Sequence, residues 1–400
     1  MTFLPYGRQS IDDEDVRAVT AVLKGDMLTT GPTIARFEDA FAKAVGARHA
    51  VACSSGTAAL HLAAMAADLG PGGRAIVPAV TFAATANAAH YVGADVVIAD
   101  VTGENGLMTP ALLRESLSRP DAADVKVVLP VHLAGQCADP AAIRDLADAS
   151  GAMVIEDACH ALGASWRGSD GREHRVGDCS HSDMAVFSFH PVKTIAMGEG
   201  GAITTNDDVL ARRLRALRTH GMEHDPDAFE DREAACDEDG LRRPWYMEMQ
   251  ALGFNYRASD IHCALGLSQL GRLPEFVARR RALAAVYDDL LAGLSPRLRP
   301  ITRIPACDAV WHLYVVLIDY GDAGTTRARF MAALREREIG SQVHYIPLYR
   351  HPYFVRRYGQ QSRPGAEAYY DRALSLPLHV SMTEADVVRV CAVLAELLDV

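Results

Sequence analysis

Four hundred residues, 49% of them hydrophobic and 23% charged, exclude a disordered chain and suffice for roughly two to three domains with buried cores. With 51 acidic residues against 40 basic ones, the formal net charge is −11. The chain therefore lacks the basic footprint that nucleic acid or an anionic membrane surface requires. Ser10 ahead of Asp13 and Glu14 marks a helix start, and Gly25 stands where that helix should end. Ile34, Phe37, Phe41 and Val45 keep helical spacing up to Gly46. Short apolar runs then predict strands at His49–Cys53, Arg74–Pro78, Asp95–Ala99, Lys126–Val131, Ala152–Ile155 and Met184–Phe189. Alanine-rich helices are expected between them at Thr57–Asp68, Phe82–Tyr91 and Pro140–Ala149. That alternation predicts an α/β fold with a mostly parallel sheet covered on both faces.

After Asn206 the texture changes. A basic helix is expected over Asp207–Thr219, then a polar loop or partly ordered insertion over Glu223–Asp239. Helices follow at Ser259–Leu270 and Pro274–Leu294, the second leading into a smaller unit. That unit reads as strand Trp311–Ile318, helix Thr326–Arg337, strand Ser341–Ile346 and helix Thr383–Leu398. The eight cysteines are too sparse for a disulfide scaffold and show no C-x-x-C pair, so buried, reduced thiols are expected. The N-terminal residues lack a signal-peptide pattern, and no apolar run reaches the roughly 20 residues that span a bilayer. A soluble, cytoplasmic protein without membrane partners is the expectation.

Four stations carry chemistry. Ser54-Ser55-Gly56-Thr57 ends a strand and opens a helix, where free N–H groups favour a phosphate or where serine merely caps. Glu156 and Asp157 end an apolar strand and point to opposite faces, so one of them can face a pocket. A carboxylate there can hold a pyridinium proton, bind a metal or cap the next helix. Lys193, between the apolar run through Phe189 and the turn Gly198-Glu199-Gly200-Gly201, is placed to lose solvation and act as a nucleophile toward a carbonyl. Asn255, in Gly253-Phe254-Asn255-Tyr256-Arg257, is an uncharged donor in a turn, whether turn former or ligand. Cys179, His181 and Asp183 near His174 are too irregularly spaced for a metal, and none is expected. The glycines 198–201 do not fit a dinucleotide fingerprint, and no nucleophile elbow appears.

In this order the four stations resemble the DegT/DnrJ/EryC1/StrS family of pyridoxal-phosphate sugar aminotransferases, fold type I, over essentially the whole chain. Ser55-Gly56-Thr57-Ala58-Ala59-Leu60 is similar to the family's phosphate-binding motif. Thr81-Phe82, with Thr85 and Asn87, resembles the segment whose aromatic side chain stacks on the cofactor. Glu156-Asp157-Ala158 resembles the aspartate motif, and Ser188-Phe189-His190-Pro191-Val192-Lys193 the Schiff-base lysine motif. Pro5–Ile11, Phe189–Lys193, Arg243–Gln250 and Val343–Leu348 carry a further likeness to the aminotransferases of pseudaminic acid synthesis. These act at C4 of a UDP-linked 2-acetamido-2,6-dideoxy-hexos-4-ulose. A different UDP- or TDP-keto-sugar, aminated at C3 or C4, is the nearest alternative. A dehydratase on the same fold would carry histidine in place of Lys193, and a regulator without turnover would not need intact stations.

The resemblance implies a large cofactor-binding domain over residues 1–270, N-terminal segment included, and a smaller α+β domain over 271–400. It implies pyridoxal 5′-phosphate as cofactor, L-glutamate as amino donor, and a homodimer with active sites at its interface. Lys193 would hold the cofactor and move the proton, and Asp157 would keep the pyridine nitrogen protonated. His160 would lie near the cofactor's 3′ oxygen and Phe82 would stack on its ring. Ser55, Gly56, Thr57 and Ser188 would bind the phosphate, joined by Asn255 of the neighbouring subunit. Tyr6, His344 and Tyr345 would face the sugar.

Overall fold

The computed structural model describes residues 2–168 and 171–399. Helix α1 (Asp13–Leu23) is capped by Asp12 rather than Ser10. The Asp12 carboxylate accepts the N–H groups of Glu14 and Asp15 at 2.9 and 3.0 Å, and Asp15 accepts the Asp12 N–H in return. One carboxylate oxygen that takes both N–H groups wins over a serine two residues upstream. Pro32 opens α2 (Pro32–Val45), whose Ile34, Phe37, Phe41 and Val45 are buried, and Gly46 closes it at φ +87°.

The central sheet begins with β1 (His49–Cys53), β2 (Arg74–Pro78), β3 (Asp95–Ala99), β4 (Val125–Val128) and β5 (Met153–Asp157). The first three keep their sequence-predicted bounds. Between them run α3 (Gly56–Ala66), α4 (Ala83–Tyr91), α5 (Pro110–Leu117) and α6 (Pro140–Ser150). A marginal hairpin of β6 (Ser165–Arg167) and β7 (Glu173–Arg175) precedes the last two central strands, β8 (Met184–Ser188) and β9 (Gly201–Thr205). The order is β1-β9-β8-β5-β4-β2-β3, with parallel pairing from β3 through to β8 and β9 antiparallel to both its neighbours. The mostly parallel sheet expected from the alternation is therefore present. Its geometry brings the carboxyl ends of β1, β5 and β8 and the start of β9 to one edge, where ligands of α/β sheets bind.

Helix α7 (Asp208–Arg218) leads into an excursion closed by the ladder of β10 (Met222–Glu223) with β11 (Glu248–Met249). The polar stretch expected to be loop lies inside it. Glu248 ties it down, accepting the N–H groups of Glu230 and Asp231 at 2.8 and 2.9 Å and the Tyr246 hydroxyl at 3.0 Å. Helices α8 (Asp260–Gly271) and α9 (Leu273–Leu291) then carry the chain to a three-stranded sheet of β12 (Leu298–Pro300), β14 (Tyr314–Ile318) and β15 (Ala373–Leu376). On the way, β13 (Cys307–Asp308) pairs back to β6. Helices α10 (Arg327–Glu336), α11 (Pro352–Tyr358), α12 (Pro364–Arg372) and α13 (Glu384–Leu397) complete the chain.

Two expectations need correction here. Ser341–Ile346 is not a strand: β15 takes the place beside β14, and only Gln342 bridges to it, at Ser375. The predicted strand from Trp311 starts at Tyr314, because Trp311 adopts φ +47° and breaks the extended run. Strand β14 is buried on both faces. Leu313, Val315 and Leu317 join the core of the central sheet, while Tyr314, Val316 and Ile318 pack with the core of α9 and α13. That period of two locks the C-terminal sheet onto the main body. No helix among the described residues is long and apolar enough to cross a membrane.

Candidate active site

At the shared edge of the sheet lies a cavity of about 590 Å³, of a size to take a small organic ligand. Its first wall is the start of α3. Ser55 caps that helix, accepting the Ala58 N–H at 3.1 Å, and leaves Gly56 and Thr57 heading it at the cavity surface. The first N–H groups of a helix have no intrahelical acceptor and sit at the positive end of its dipole. Gly56 is required there: a Cβ would stand 2.8 Å from the Cβ of Ser188, which ends β8. Gly201 opens β9 just as tightly, since its Cβ would fall 2.3 Å from the Ser55 carbonyl oxygen. Ser55, Gly56, Thr57 and Ser188 therefore converge on one small-residue cradle.

Asp157 ends β5 with its carboxylate in the cavity, and Glu156 points to the other side of the sheet, 3.5 Å from His132. Asp157 Oδ2 accepts the Thr85 hydroxyl at 2.7 Å, and Oδ1 accepts the Cys159 N–H at 3.2 Å. Lys193 follows β8 in a turn closed by its own N–H to the His190 carbonyl at 2.8 Å. Burial of its amino end pushes the lysine's pKa down, opposed by the nearby Cys159 and Asp157 charges.

The remaining wall is made of imidazoles and phenols. Tyr345 Oη lies 3.2 Å from His160 Nε2, and the His160 ring lies 4.4 Å from that of His312. His344 Nδ1 is 2.8 Å from Ser375 Oγ, and its ring faces Tyr6 at 5.6 Å. Burial holds all three imidazoles down, His160 and His312 well below the ordinary range and His344 to about 3, with the Lys193 charge adding to each. Phe82 stands at the start of α4, 59% exposed, its ring 6.0 Å from Tyr345.

Of the twelve residues singled out in the sequence, eleven line this cavity: Tyr6, Ser55, Gly56, Thr57, Phe82, Asp157, His160, Ser188, Lys193, His344 and Tyr345. Asn255 does not. It is exposed and bridges to Thr219, outside the cavity of its own chain. Sequence reasoning assigned no role to His312, Cys159 or Gln342, which also line the cavity, nor to Thr85 as the partner of Asp157. His312 is held by Arg280 of α9, a side chain only 1% exposed that donates to the carbonyls of Trp311, His312 and Leu378 at 3.1–3.3 Å. A lone histidine ahead of a strand carries no periodic signal that marks it. Among the described residues, no group of three or more His, Cys, Asp or Glu side chains could hold a metal ion.

The sequence model of the DegT/DnrJ/EryC1/StrS aminotransferase family matches residues 9–395. The chain belongs to this family. It is 38% identical over 388 residues to the spore coat polysaccharide biosynthesis protein SpsC of Bacillus subtilis (strain 168), covering 96% of this chain and 94% of that one. Its structure is similar to Helicobacter pylori PseC, an aminotransferase of pseudaminic acid biosynthesis, with a TM-score of 0.87, 26% identity and full coverage of both chains. The PLP form of the sugar aminotransferase Spr1654 from Streptococcus pneumoniae superposes with a TM-score of 0.85 at 25% identity over 99% of both chains. The protein is a PLP-dependent sugar aminotransferase of fold type I. The cavity fits that cofactor: a helix N-terminus with a cradle too tight for any Cβ suits the phosphate, and a buried carboxylate suits a pyridinium. His160 Nδ1, buried and without a hydrogen-bond partner among the described residues, offers a further polar contact.

Proposed function

We propose that the chain transfers the amino group of L-glutamate to C4 of a UDP-linked 2-acetamido-2,6-dideoxy-hexos-4-ulose, the amination of pseudaminic acid synthesis. The full-length likeness to PseC carries this reading. Pyridoxal phosphate, when bound, would supply the electron sink for charge developing at the donor carbon. Lys193 Nζ, made less basic by burial, would hold the cofactor through its carbonyl carbon and would carry the proton taken from the donor's Cα. Asp157 Oδ2, fixed by Thr85, would keep the pyridine nitrogen protonated. Ser55, Gly56, Thr57 and Ser188 would hold the phosphate, Phe82 would lie against the ring, and His160 would stand near the 3′ oxygen. Tyr6, His344 and Tyr345 orient the sugar.

The reading includes a homodimer that shares its sites. Among the described residues, the cavity lining holds one lysine and no arginine, whereas a diphosphate and the two carboxylates of glutamate need counter-charges. The excursion between α7 and α8 exposes Trp245 at 71% and Leu252 at 73%, apolar surface that a second copy would cover. It also carries Arg232, Arg242 and Arg243. The deciding experiment offers the holoenzyme glutamate with a panel of UDP- and TDP-linked 3- and 4-keto-sugars and reads product mass. The expected product is the 4-amino sugar from the UDP-linked 2-acetamido substrate. Preference for any other member of the panel overturns the substrate assignment, and the likeness to SpsC then directs the search to another polysaccharide precursor.

A further inference from the structure

Outside the cavity lining, two cysteines 170 residues apart touch. Cys137 Sγ lies 3.2 Å from Cys307 Sγ, and the Cys137 N–H donates to Cys307 Sγ at 3.1 Å. Neither residue lines the cavity. Cys137 ends the turn after β4 and is buried, whereas Cys307 begins β13 and is half-exposed. Backbone and amide bonds already fix the two segments against each other. Ile304 N–H donates to Gln136 Oε1 at 2.8 Å, Gln136 Nε2 to the Thr302 carbonyl at 3.3 Å, and Val310 N–H to the Gly135 carbonyl at 3.3 Å. A disulfide needs the sulfurs to close by only about 1 Å from this arrangement.

From this contact we infer that Cys137 and Cys307 form a reversible oxidation site, which a small disulfide such as oxidised glutathione converts to an internal disulfide. The attacking group is Cys307. Its sulfur accepts hydrogen bonds from the Cys137 side chain and backbone, which favour the thiolate, and the His132 imidazole nearby adds to this. Cys137 is pushed the other way by the same contact and by burial. Burial also raises Cys53, Cys179, Cys263 and Cys391 to about 12, so those thiols are poor competitors.

The electrons balance in two steps. The Cys307 thiolate attacks one sulfur of oxidised glutathione, that S–S bond breaks, and one glutathione leaves as thiolate. Cys137 then loses its proton and attacks the Cys307 sulfur, releasing the second glutathione. Two protein thiols are oxidised, one glutathione disulfide is reduced to two thiols, and the proton ends on the leaving thiolate. The product bond staples the turn that runs behind Asp157 to the segment that delivers Trp311 and His312. Closing a loop of 170 residues removes much freedom from the unfolded chain, so the cross-link stabilises the folded one.

The experiment incubates the holoenzyme with oxidised glutathione and maps disulfides by mass spectrometry under non-reducing conditions. The expected result is a Cys137–Cys307 linked peptide that dithiothreitol removes, an apparent Tm higher by roughly 5 °C, and unchanged turnover. Cys137→Ser should instead trap one glutathione on Cys307, and Cys307→Ser should show neither link nor adduct at Cys137. Half-buried Cys236 serves as the internal reference. Glutathione on Cys236 without any Cys137–Cys307 peptide overturns the site, as does trapping on Cys137 in preference to Cys307. A linked protein that melts no higher than the reduced one overturns the staple.

Discussion

Thr85 Oγ1 donates a 2.7 Å hydrogen bond to Asp157 Oδ2, and Thr81 Oγ1 stands 2.7 Å behind Thr85. Because the single Thr85 proton goes to the carboxylate, Thr81 must donate to Thr85, and the pair forms a short buried chain that ends on Asp157 and fixes its carboxylate. Hydrogen bonds to a charged group are worth roughly 1.5–3 kcal/mol, which is about one to two powers of ten in rate if the bond tightens the transition state. Thr85→Val should therefore lower kcat/KM by about ten-fold or somewhat more, while Asp157→Asn, which removes the charge itself, should cost far more. Steady-state kinetics on both variants check the order. Equal, wild-type turnover in the two would return Asp157 to its other visible task, accepting the Cys159 N–H.

Lys193 is the second test. Borohydride reduction of the holoenzyme followed by peptide mapping should place the pyridoxyl group on Lys193. The motive is its position in the cavity wall beside Asp157 and Cys159, with its basicity lowered by burial. A label on another lysine would falsify the assigned chemistry as a whole.

How much of this was legible in the chain depends on where each signal resides. Strands β1, β2 and β3 are short apolar runs between polar or small residues, and their bounds follow from the pattern. Residues 341–346 carry the same β-rich texture, yet β15 fills their place, a competition settled by pairing across 62 residues of chain (Tyr314 with Leu376 against Ser341 onward) that no local pattern reports. Cavity positions fared well where chemistry and motif coincide, as at Lys193 and Asp157. The Thr85–Asp157 bond spans 72 residues and joins α4 to the end of β5, so it becomes visible only once the sheet order is known. His312 depends on Arg280, which a helix pattern marks merely as one of three consecutive arginines.

Acid should destabilise the protein well above the range where its carboxylates titrate. His160 and His312 are held well below the ordinary imidazole value, His344 to about 3 and His379 to about 4, each mainly by burial. Their folded pKa values lie below the unfolded one near 6.5, so below that pH the unfolded chain binds protons that the folded chain refuses. Stability is full above pH 6.5 and falls as pH drops toward 3–4, by about 1.4 kcal/mol per pH unit for each such group. His132 runs the other way: burial lowers it, but the bond and charge of Glu156 outweigh that and raise it, so its contribution is lost as pH rises. Thermal unfolding between pH 8 and 5 should show a falling midpoint with a slope shallower in His379→Leu. A flat profile over that window would mean that these imidazoles are charged in the folded protein.

Arg280 holds two cavity walls at once. Its guanidinium donates to the carbonyls of Trp311, His312 and Leu378, and the Leu378 N–H in turn donates to the Tyr6 carbonyl at 3.0 Å. Arg280→Met leaves three buried carbonyls short of a donor, at about 1 kcal/mol each. For a chain this long that lowers Tm by roughly 4 °C. Because His312 and Tyr6 both line the cavity, KM for the keto-sugar should rise while the pyridoxyl label on Lys193 persists. An Arg280→Met protein that melts lower with unaltered KM would confine the residue to stability.

The proposed shared site yields the sharpest prediction. Asn255 is exposed, bridges to Thr219, and does not reach the cavity of its own chain. The proposed phosphate cradle at Gly56 and Thr57 would approach its ligand from one side, and a neutral amide from a neighbour would close it without adding a second full charge. A hydrogen bond of that kind is worth roughly 1.5–3 kcal/mol, so Asn255→Ala should weaken cofactor retention by about one to two powers of ten. Lys193→Ala should be inactive at any cofactor concentration. Mixing the two proteins under conditions of subunit exchange, at a cofactor level where Asn255→Ala is idle, makes the arrangement visible. In a mixed dimer, the subunit that keeps Lys193 receives Asn255 from its partner, so one of the two sites is whole. If Asn255 instead served its own chain, neither site would be, and mixing would restore nothing. Activity should thus rise on mixing toward one working site per mixed dimer. No rise despite exchange shown by mass-tagged subunits, or full cofactor retention in Asn255→Ala alone, would remove Asn255 from the phosphate site and leave the exposed Trp245 and Leu252 surface without this role.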